Sequence, residues 1–271
     1  MPPRLRLTSD THAIITGGSR GIGFATARAL AERGVRISLI ARDPDVLADA
    51  AERLTATGRV VATAAADVAD AAAVTAAIDE LTTTHGPCDL LVTSAGATRP
   101  GHFLDLDDDV FRHLMEVNYY GTLHPIRAVT PTMVARGSGA IVGVSSAVGL
   151  LGVFGYTAYA ASKFAVRGLL ESLRQELRPH GVLVATAYPA DVDTDMLAEE
   201  DAWKPDETCA IAGTIRPIPP ERVATAILRA VERGRDHITT DVGTAALDRV
   251  LGLARRPIHH LIDRKVTRSR R

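Results

Sequence analysis

With 271 residues, of which 46% are apolar and 23% are charged, the chain can bury a sizeable core as one large α/β domain or two small ones. A net charge of −1 excludes a strong attraction of the whole chain to nucleic acid or to a membrane surface, so no nucleic-acid partner is expected. The two cysteines, Cys88 and Cys209, fit no disulfide or zinc pattern, and no apolar run has the length of a signal peptide or a membrane span, so we expect a cytoplasmic protein without a metal site.

Short apolar strands alternate with amphipathic helical stretches along most of the chain, which is the pattern of a parallel sheet with helices on both faces. In chain order the predicted strands are HAIIT, VRISLI, RVVATA, CDLLVT, GAIVGVS, VLVATAY and HITT. Residues 107–136 form a longer helical stretch, in which Pro125 and Pro131 predict a kink or a break. The fold class is therefore α/β: a single Rossmann-type, doubly wound domain over residues 1–246, with about seven strands.

A glycine-rich turn, TGGSRGIG, follows the first predicted strand and places Gly17, Gly21 and Gly23 before the first helix. Such a turn lets the backbone approach a pyrophosphate and directs a helix N-terminus at its charge. The alternative is a tight strand-to-helix connection without a ligand. Its position after the first strand of an alternating α/β chain favours the nucleotide.

The end of the second strand, LIARD, bears on the choice of cofactor. A NAD site would place a carboxylate there for the ribose 2′-hydroxyl. Here Ala41 occupies that position, Arg42 follows it, and Arg20 lies in the glycine turn. Two guanidiniums suit a 2′-phosphate, which favours NADP(H). In the alternative interpretation Arg42 is a solvated surface residue neutralised by Asp43.

The stretch YTAYAASKFAVRG, residues 156–168, places Tyr159 and Lys163 four residues apart and therefore on one helix face. Four residues after Tyr156 the chain has Ala160, so Tyr156 has no lysine at this spacing. An ammonium about 4 Å from the phenol oxygen would lower the pKa of Tyr159 by up to about 3 units at an effective dielectric of about 20. The pair predicts a tyrosine that exchanges a proton with a substrate.

Together, the glycine turn and the YAASK motif resemble the short-chain dehydrogenase/reductases over residues 12–242. The resemblance implies four catalytic residues: Tyr159 as proton donor, Ser146 as hydrogen-bond donor to the carbonyl oxygen, Lys163 on the phenol and the ribose, and Asn118 on a water leading to Lys163. Taken singly, such a serine is most often a turn residue and such an asparagine usually satisfies backbone groups. Their shared order and spacing favour the catalytic interpretation.

The same resemblance implies a set of cofactor contacts along the carboxyl ends of the strands. Besides the three turn glycines, the two arginines, Tyr159 and Lys163, these are Ser19, Ile22, Asp67, Val68, Ser94, Ala95, Gly96, Pro189, Val192 and Thr194. Two positions depart from the family pattern: Ser94 replaces an asparagine and Ala190 replaces a glycine. Neither position takes a direct part in hydride transfer.

Within this family, the stretches GVFGYTAYAASKFAVRGLLESLRQEL, AYPADVDTDM and AEEDAWKPDET resemble the 3-ketodihydrosphingosine reductases. That resemblance implies NADPH-dependent reduction of a long-chain 3-keto lipid. Residues 195–220 are predicted to form a substrate lid, with Met196, Leu197, Trp203 and Ile211 either lining an apolar pocket or simply packing the lid on the core. The alternatives are a general reductase of 3-oxoacyl, steroid or smaller carbonyl compounds, and a non-catalytic NADP-binding regulator.

The C-terminal stretch, residues 247–271, carries eight Lys or Arg residues against Asp248 and Asp263. Its apolar residues recur at helical intervals on either side of Pro257. One interpretation is that this tail docks on the domain, and the other is a peripheral contact with a membrane that supplies a lipid substrate. The eukaryotic reductases' membrane-embedded tail has no counterpart in this sequence. The family resemblance also implies a homodimer or a homotetramer.

Overall fold

The computed structural model describes residues 3–55, 60–212 and 216–251. Seven strands form one parallel sheet in the order β3-β2-β1-β4-β5-β6-β7. The strands are β1 (His12–Thr16), β2 (Arg36–Ala41), β3 (Val61–Ala65), β4 (Leu90–Thr93), β5 (Gly139–Val144), β6 (Val182–Tyr188) and β7 (His237–Thr239). The predicted fold class is confirmed, and each of the seven predicted strands is present.

Helices connect the strands and cover both faces of the sheet. They are α1 (Gly21–Ala31), α2 (Pro44–Thr55), α3 (Ala71–His85), α4 (Asp108–Leu114), α5 (Gly121–Arg136), α6 (Thr157–Leu177), α7 (Asp195–Asp201), α8 (Asp206–Ala212), α9 (Pro220–Arg233) and α10 (242–251). A π-helical segment, Met115–Tyr120, joins α4 to α5.

The core consists of two layers because successive residues of a strand point to opposite faces of the sheet. In β1, Ala13 and Ile15 face a cluster built with α1, α2 and α9, whereas Ile14 faces a cluster built with α3, α5 and α6. These strand residues are fully buried. The near-continuous apolar runs of the sequence therefore have a direct cause: the strands are covered on both sides.

Strand order reverses between β1 and β4, which pair side by side. In open parallel sheets a crevice forms at this point, outside the carboxyl ends of the strands. The glycine turn after β1, the loop after β4 and the loops after β5 and β6 all begin at that edge. The topology thus brings sequence-distant residues to one place.

The prediction of a break at Pro125 and Pro131 is wrong, because α5 continues through both residues. The helical stretch is instead irregular before the prolines, in the π-helical segment, whose wider turn carries Asn118. The sequence contains no simple signal for such a segment.

The end of the chain is described only as far as residue 251. In α10, Leu247 and Leu251 pack on a small cluster that includes Leu150, Leu151 and Tyr188. Most of the basic tail lies outside the described residues, so its contact with a membrane stays a prediction, as does the oligomeric state. None of the described helices combines the length and the apolar character required to cross a bilayer.

Candidate active site

The glycine turn has a backbone shape that side chains cannot occupy. Gly17 has φ +65°, and a Cβ added there would lie 2.6 Å from the Ala95 backbone nitrogen. A Cβ on Gly23 would lie 2.1 Å from the Gly17 carbonyl oxygen. These contacts are with backbone atoms, which cannot move aside as a flexible side chain could. The turn therefore requires glycine at these positions.

The N-terminus of α1 opens from this turn toward the crevice. Arg20 is its N-cap residue and makes no capping hydrogen bond with its side chain. The first amides of a helix have no intrahelical acceptor and carry a partial positive charge. A glycine cradle and a helix N-terminus without a side-chain cap together fit the pyrophosphate of a dinucleotide.

The two arginines predicted to select the cofactor lie beside this turn. The Arg20 guanidinium is largely exposed and forms an ion pair of 3.7 Å with Asp195 of α7. Asp43 does not neutralise Arg42, because its Oδ1 atom accepts the backbone N–H groups of Asp45 and Val46 at 3.0 and 3.2 Å. Arg42 is exposed at the end of β2 and forms no ion pair within the described residues. It is thus available to an anionic ligand.

The remaining predicted cofactor contacts follow the crevice from β3 to β6. Asp67 is exposed after β3, next to buried Val68. Ala95, in the loop after β4, touches the glycine turn at Gly17, and Thr194 approaches it at Gly21. The other residues predicted to contact the cofactor lie in the turns and loops that follow β1, β4 and β6 or at the start of α1, and their contact with a cofactor stays a prediction: Ser19, Ile22, Ser94, Gly96, Pro189 and Val192.

Asn118 is fully buried and uses its whole amide group. Its Oδ1 atom accepts from the Ala97 backbone N–H at 2.9 Å, and its Nδ2 atom donates to the Ala97 carbonyl at 3.0 Å and to Ser162 Oγ at 2.9 Å. This side chain therefore ties the loop after β4 to α6. The proton-relay role predicted for it stays a prediction.

The Ser146 hydroxyl group lies close enough to the Tyr159 phenol to lower its pKa, although the two residues are thirteen positions apart in sequence. Ser146 leaves β5 in an extended conformation, and its Oγ atom also accepts from the Val148 N–H at 3.2 Å. The turn after β5 and the first turns of α6 thus present two hydroxyl groups side by side. Both side chains are partly exposed, so a ligand can reach them.

Lys163 lies on the same face of α6, one turn after Tyr159, and only 5% of its surface is exposed. Its Nζ atom donates to the Val144 carbonyl at 3.2 Å and lies 5.6 Å from the Tyr159 ring centre. Burial lowers the pKa of Lys163 to about 8. A Cβ built on Gly96 would be 3.5 Å from this Nζ and 3.1 Å from Asn118 Oδ1, so these groups border the same part of the crevice.

The prediction that Lys163 lowers the pKa of Tyr159 is wrong for this arrangement. Burial raises the pKa of Tyr159, and the nearby carboxylates of Glu200 and Asp191 raise it further, while the Ser146 hydrogen bond opposes them. The ammonium points at the Val144 carbonyl instead of the phenol oxygen. Tyr159 is therefore held as a neutral phenol, which is the form that can donate a proton.

A buried cluster that the sequence did not reveal adjoins Tyr159. Tyr156 donates its hydroxyl hydrogen to Glu200 Oε1, and the Lys204 ammonium lies 3.2 Å from the same oxygen. Tyr156 and Glu200 are both buried, and the rings of Tyr156 and Tyr159 are 5.9 Å apart. The cluster fastens the segment around α7 to the start of α6.

Of the predicted lid, residues 195–220, the structure describes residues 195–212, which include α7 and α8, and the residues from 216 onward. Val192 and Ile218 form a parallel bridge at its base, with backbone hydrogen bonds of 2.9 and 3.0 Å. The four apolar lid residues do not form one closed pocket: Trp203 is 54% exposed and lies under the Arg99 guanidinium at 3.6 Å, and Met196 is 37% exposed above Gly96. Their role in substrate binding stays a prediction.

The structure thus places the four predicted catalytic residues near one another, and it places the glycine turn beside Ala95 and Thr194. The binding of a cofactor by the predicted contact residues stays a prediction. Sequence reasoning missed Tyr156, Glu200 and Lys204. The four-residue spacing of Glu200 and Lys204 was a weak signal, but nothing in it indicates a contact with a tyrosine 44 positions earlier.

The model of the short chain dehydrogenase family matches residues 11–205, which is more than half of the chain. The chain belongs to the short chain dehydrogenase family. Membership makes it an oxidoreductase that uses a nicotinamide cofactor, which confirms the predicted enzyme class.

Relatives within this family include the 3-ketodihydrosphingosine reductase of Bos taurus, 42% identical over 237 residues that cover 86% of this chain and 71% of the relative. A short-chain dehydrogenase from Burkholderia phymatum in complex with NAD has a TM-score of 0.83 at 26% identity, covering 92% and 95% of the two chains. Another from Burkholderia cenocepacia J2315, in complex with NADP, has a TM-score of 0.78 at 27% identity, covering 95% and 99%. The resemblance that the motifs indicated is confirmed.

Proposed function

We propose that this short chain dehydrogenase uses NADPH to reduce the ketone of a long-chain 3-keto lipid, such as 3-ketodihydrosphingosine, to a secondary alcohol. The observation that carries the reaction is the proximity of the Ser146 and Tyr159 hydroxyl groups, beside the Lys163 ammonium, whose Nζ atom lies 5.6 Å from the centre of the Tyr159 ring. The substrate assignment rests on the similarity to the Bos taurus reductase.

The residues that line the crevice fit NADP(H). The glycine turn and the N-terminus of α1 would hold the pyrophosphate, Arg42 and Arg20 would hold the 2′-phosphate, and Lys163 would hold ribose hydroxyls. Arg42 forms no ion pair within residues 3–55, 60–212 and 216–251, which supports the phosphorylated cofactor, since the carboxylate of its neighbour Asp43 accepts hydrogen bonds from the first turn of α2. When bound, the nicotinamide supplies the hydride that the carbonyl carbon receives.

Tyr159 would be the proton donor. Its raised pKa keeps the phenol protonated at neutral pH, as reduction requires. The substrate oxygen would accept the Tyr159 proton while the Ser146 hydroxyl donates a hydrogen bond to the negative charge that develops there. Lys163, with its pKa lowered to about 8, retains most of its charge at pH 7, so its ammonium can donate hydrogen bonds to the ribose hydroxyls. Asn118 keeps α6 and the loop after β4 in register through Ser162 and Ala97.

The electrostatic surroundings of Tyr159 also bear on the substrate. Glu200 and Asp191 lie close enough to raise the pKa of the phenol, so the reacting oxygen faces a negative potential on the lid side. A sphingoid ketone carries an ammonium group on the carbon next to the carbonyl, whereas a 3-oxoacyl ester does not. A positive charge there would be favoured by these carboxylates.

A chain-length series tests the lipid assignment. Initial rates of NADPH oxidation would be measured with 2-amino-3-ketones of increasing chain length. We expect kcat/KM to rise about fourfold per buried methylene, equivalent to about 0.8 kcal/mol, until the groove is filled. A flat response from short to long chains would favour the general reductase. No oxidation with any ketone, despite NADPH binding, would favour the regulator.

A matched pair of long-chain 3-ketones, with and without the 2-amino group, separates the sphingoid substrate from other lipids. We expect the amino ketone to have the higher kcat/KM. Equal kcat/KM values for the two compounds would support a reductase of long-chain ketones in general. They would contradict a favourable contribution from the substrate ammonium.

A further inference from the structure

An open groove of about 420 Å³ lies between α9 and the edge strand β7, away from the crevice. Arg222, Arg229 and Arg233 line it from α9, and Arg235 lines it from the turn before β7. The first three arginines are seven and four residues apart, so they share one face of the helix and extend along it for about 16 Å. All four side chains are exposed.

The charge of this groove is uncompensated. The two glutamates of α9 point elsewhere: Glu221 pairs with Arg28 at 2.8 Å and Glu232 with Arg33 at 2.7 Å, against α1. None of the four groove guanidiniums forms an ion pair within the described part of the chain. A chain with a net charge of −1 therefore concentrates four positive charges on one outer surface.

Two further groups at the groove already have partners. His237 lines it and contacts Asp248 at 3.0 Å, and Asp236, next to Arg235, pairs with Arg174 at 3.0 Å. The carboxylates nearest in sequence have other partners: Glu221, Glu232 and Asp236 pair with arginines outside the groove, and Asp241 accepts hydrogen bonds from the backbone N–H and the hydroxyl of Thr244. The groove retains its excess of positive charge with all the neighbouring pairs in place.

We propose that this groove, lined by Arg222, Arg229, Arg233 and Arg235, is a docking surface for the phosphate and carboxylate headgroups of an anionic phospholipid bilayer. Guanidiniums match such groups with paired hydrogen bonds. A row of about 16 Å is longer than one phosphate requires, so it fits a surface of many headgroups better than a single free anion.

Other occupants fit the groove less well. A second copy related by a two-fold axis would bring the same four arginines against each other. A single-stranded nucleic acid would need aromatic rings for base stacking, and histidine is the only ring-bearing side chain among the lining residues. Residues 252–271 carry seven Lys or Arg and one Asp, so their charge would add to the attraction of the chain to an anionic surface.

Vesicle sedimentation of the full-length protein tests the proposal. Phosphatidylcholine vesicles would be compared with vesicles that also contain phosphatidylserine, at low salt. We expect binding to the anionic vesicles alone. Each arginine near such a surface contributes about fivefold to partitioning, so Arg229→Gln with Arg233→Gln should weaken it about 30-fold. Lysine at both positions should retain most of the binding.

The control variant removes the same charge from the other face of the sheet, with Arg127→Gln and Arg178→Gln, both exposed residues. It should bind vesicles nearly as the unmodified protein does, and both variants should reduce a dissolved ketone at the unmodified rate. The proposal is overturned if the groove variant binds as well as the control. It is also overturned if groove substitution abolishes self-association or oligonucleotide binding while vesicle binding persists. These results do not depend on the proposed substrate, since basal ketone reduction is measured separately.

Discussion

Polar groups at the carboxyl ends of the strands and polar groups at their amino ends serve opposite purposes; the two ends of the sheet are called the carboxyl edge and the amino edge. At the carboxyl edge, Ser146, Tyr159 and Lys163 face a crevice and keep hydrogen-bonding capacity for a ligand. At the amino edge, His12 Nδ1 lies 2.8 Å from the Gly86 carbonyl, and its Nε2 lies 2.7 Å from Ser38 Oγ, which in turn contacts His85 at 3.2 Å. These groups satisfy one another.

This difference separates function from stability within one fold. Groups that are left partly unsatisfied at the carboxyl edge should affect turnover when they are replaced, with small effects on folding. Groups that are mutually satisfied at the amino edge should affect folding, with small effects on turnover. Each prediction below tests one side of that contrast.

The largest expected effect is on the proton donor. Tyr159→Phe should lower kcat by about 10²- to 10⁴-fold, the usual contribution of a general acid, while cofactor affinity stays close to that of the unmodified enzyme. Single-turnover rates and fluorescence titration with NADPH would measure the two quantities. Tyr156→Phe is the control, because it removes the neighbouring phenol hydroxyl, and it should cost far less. Substantial activity in the Tyr159 variant would mean that the donor is misassigned.

At the cofactor end of the same edge, Arg42→Ala should weaken NADPH binding by roughly 10- to 150-fold, the equivalent of losing one charged hydrogen-bond partner, about 1.5–3 kcal/mol. NADH binding should hardly change, because it has no 2′-phosphate. Calorimetry with both cofactors gives the comparison. Equal affinity of the unmodified enzyme for the two would contradict the assignment of NADP(H).

At the amino edge, the expected effect is on stability and depends on pH. Burial lowers the pKa of His12 to about 4 from 6.5. Below pH 6.5 the unfolded chain binds a proton that the folded chain excludes, so the stability contributed by this site is complete above that pH and is lost as the pH falls toward 4. The loss approaches about 3 kcal/mol.

Urea unfolding between pH 7 and pH 4 would measure this loss. His12→Gln removes the titrating group, so its free energy of unfolding should fall less steeply over that interval, while kcat at pH 7 stays near the unmodified value. Identical slopes for the two proteins would show that His12 does not titrate as its burial implies.

The smallest expected effect concerns Glu200, which links the lid to α6. Because its charge raises the pKa of Tyr159, Glu200→Gln should move the alkaline limb of the pH–rate profile for reduction to lower pH. We expect kcat/KM at pH 7 to fall by about tenfold or less, since the amide can still accept from Tyr156. Exposed Glu199→Gln is the matched control. An alkaline limb at the same pH in the variant and in the unmodified enzyme would show that Glu200 does not affect the pKa of Tyr159.

The parts of this site that the sequence predicted are those that depend on local geometry. Gly17 and Gly23 are required by backbone contacts within one turn, and the spacing of Tyr159 and Lys163 follows from the pitch of a helix. Such features are visible in a short window of residues. Most of the seven strands were visible for the same reason, because they are short and largely apolar; HITT, with one apolar residue, is the exception.

The rest depends on contacts that only the folded chain creates. The Lys163 ammonium of α6 donates to the Val144 carbonyl of β5. The negative charge that raises the pKa of Tyr159 belongs to Glu200, in the predicted lid. Spacing along one helix cannot show either of them. The excess of positive charge in the groove on α9 is likewise apparent only in the folded chain, where Glu221 pairs with Arg28 and Glu232 pairs with Arg33.

The central claim is that this chain reduces a long-chain amino ketone with NADPH. The most direct measurement follows NADPH oxidation and alcohol formation together, with 3-ketodihydrosphingosine as substrate and the Tyr159→Phe enzyme as control. We expect one molecule of alcohol for each NADPH consumed, a much slower reaction with NADH, and almost no reaction with the Tyr159→Phe enzyme. Rapid reduction of small ketones without turnover of this lipid would contradict it.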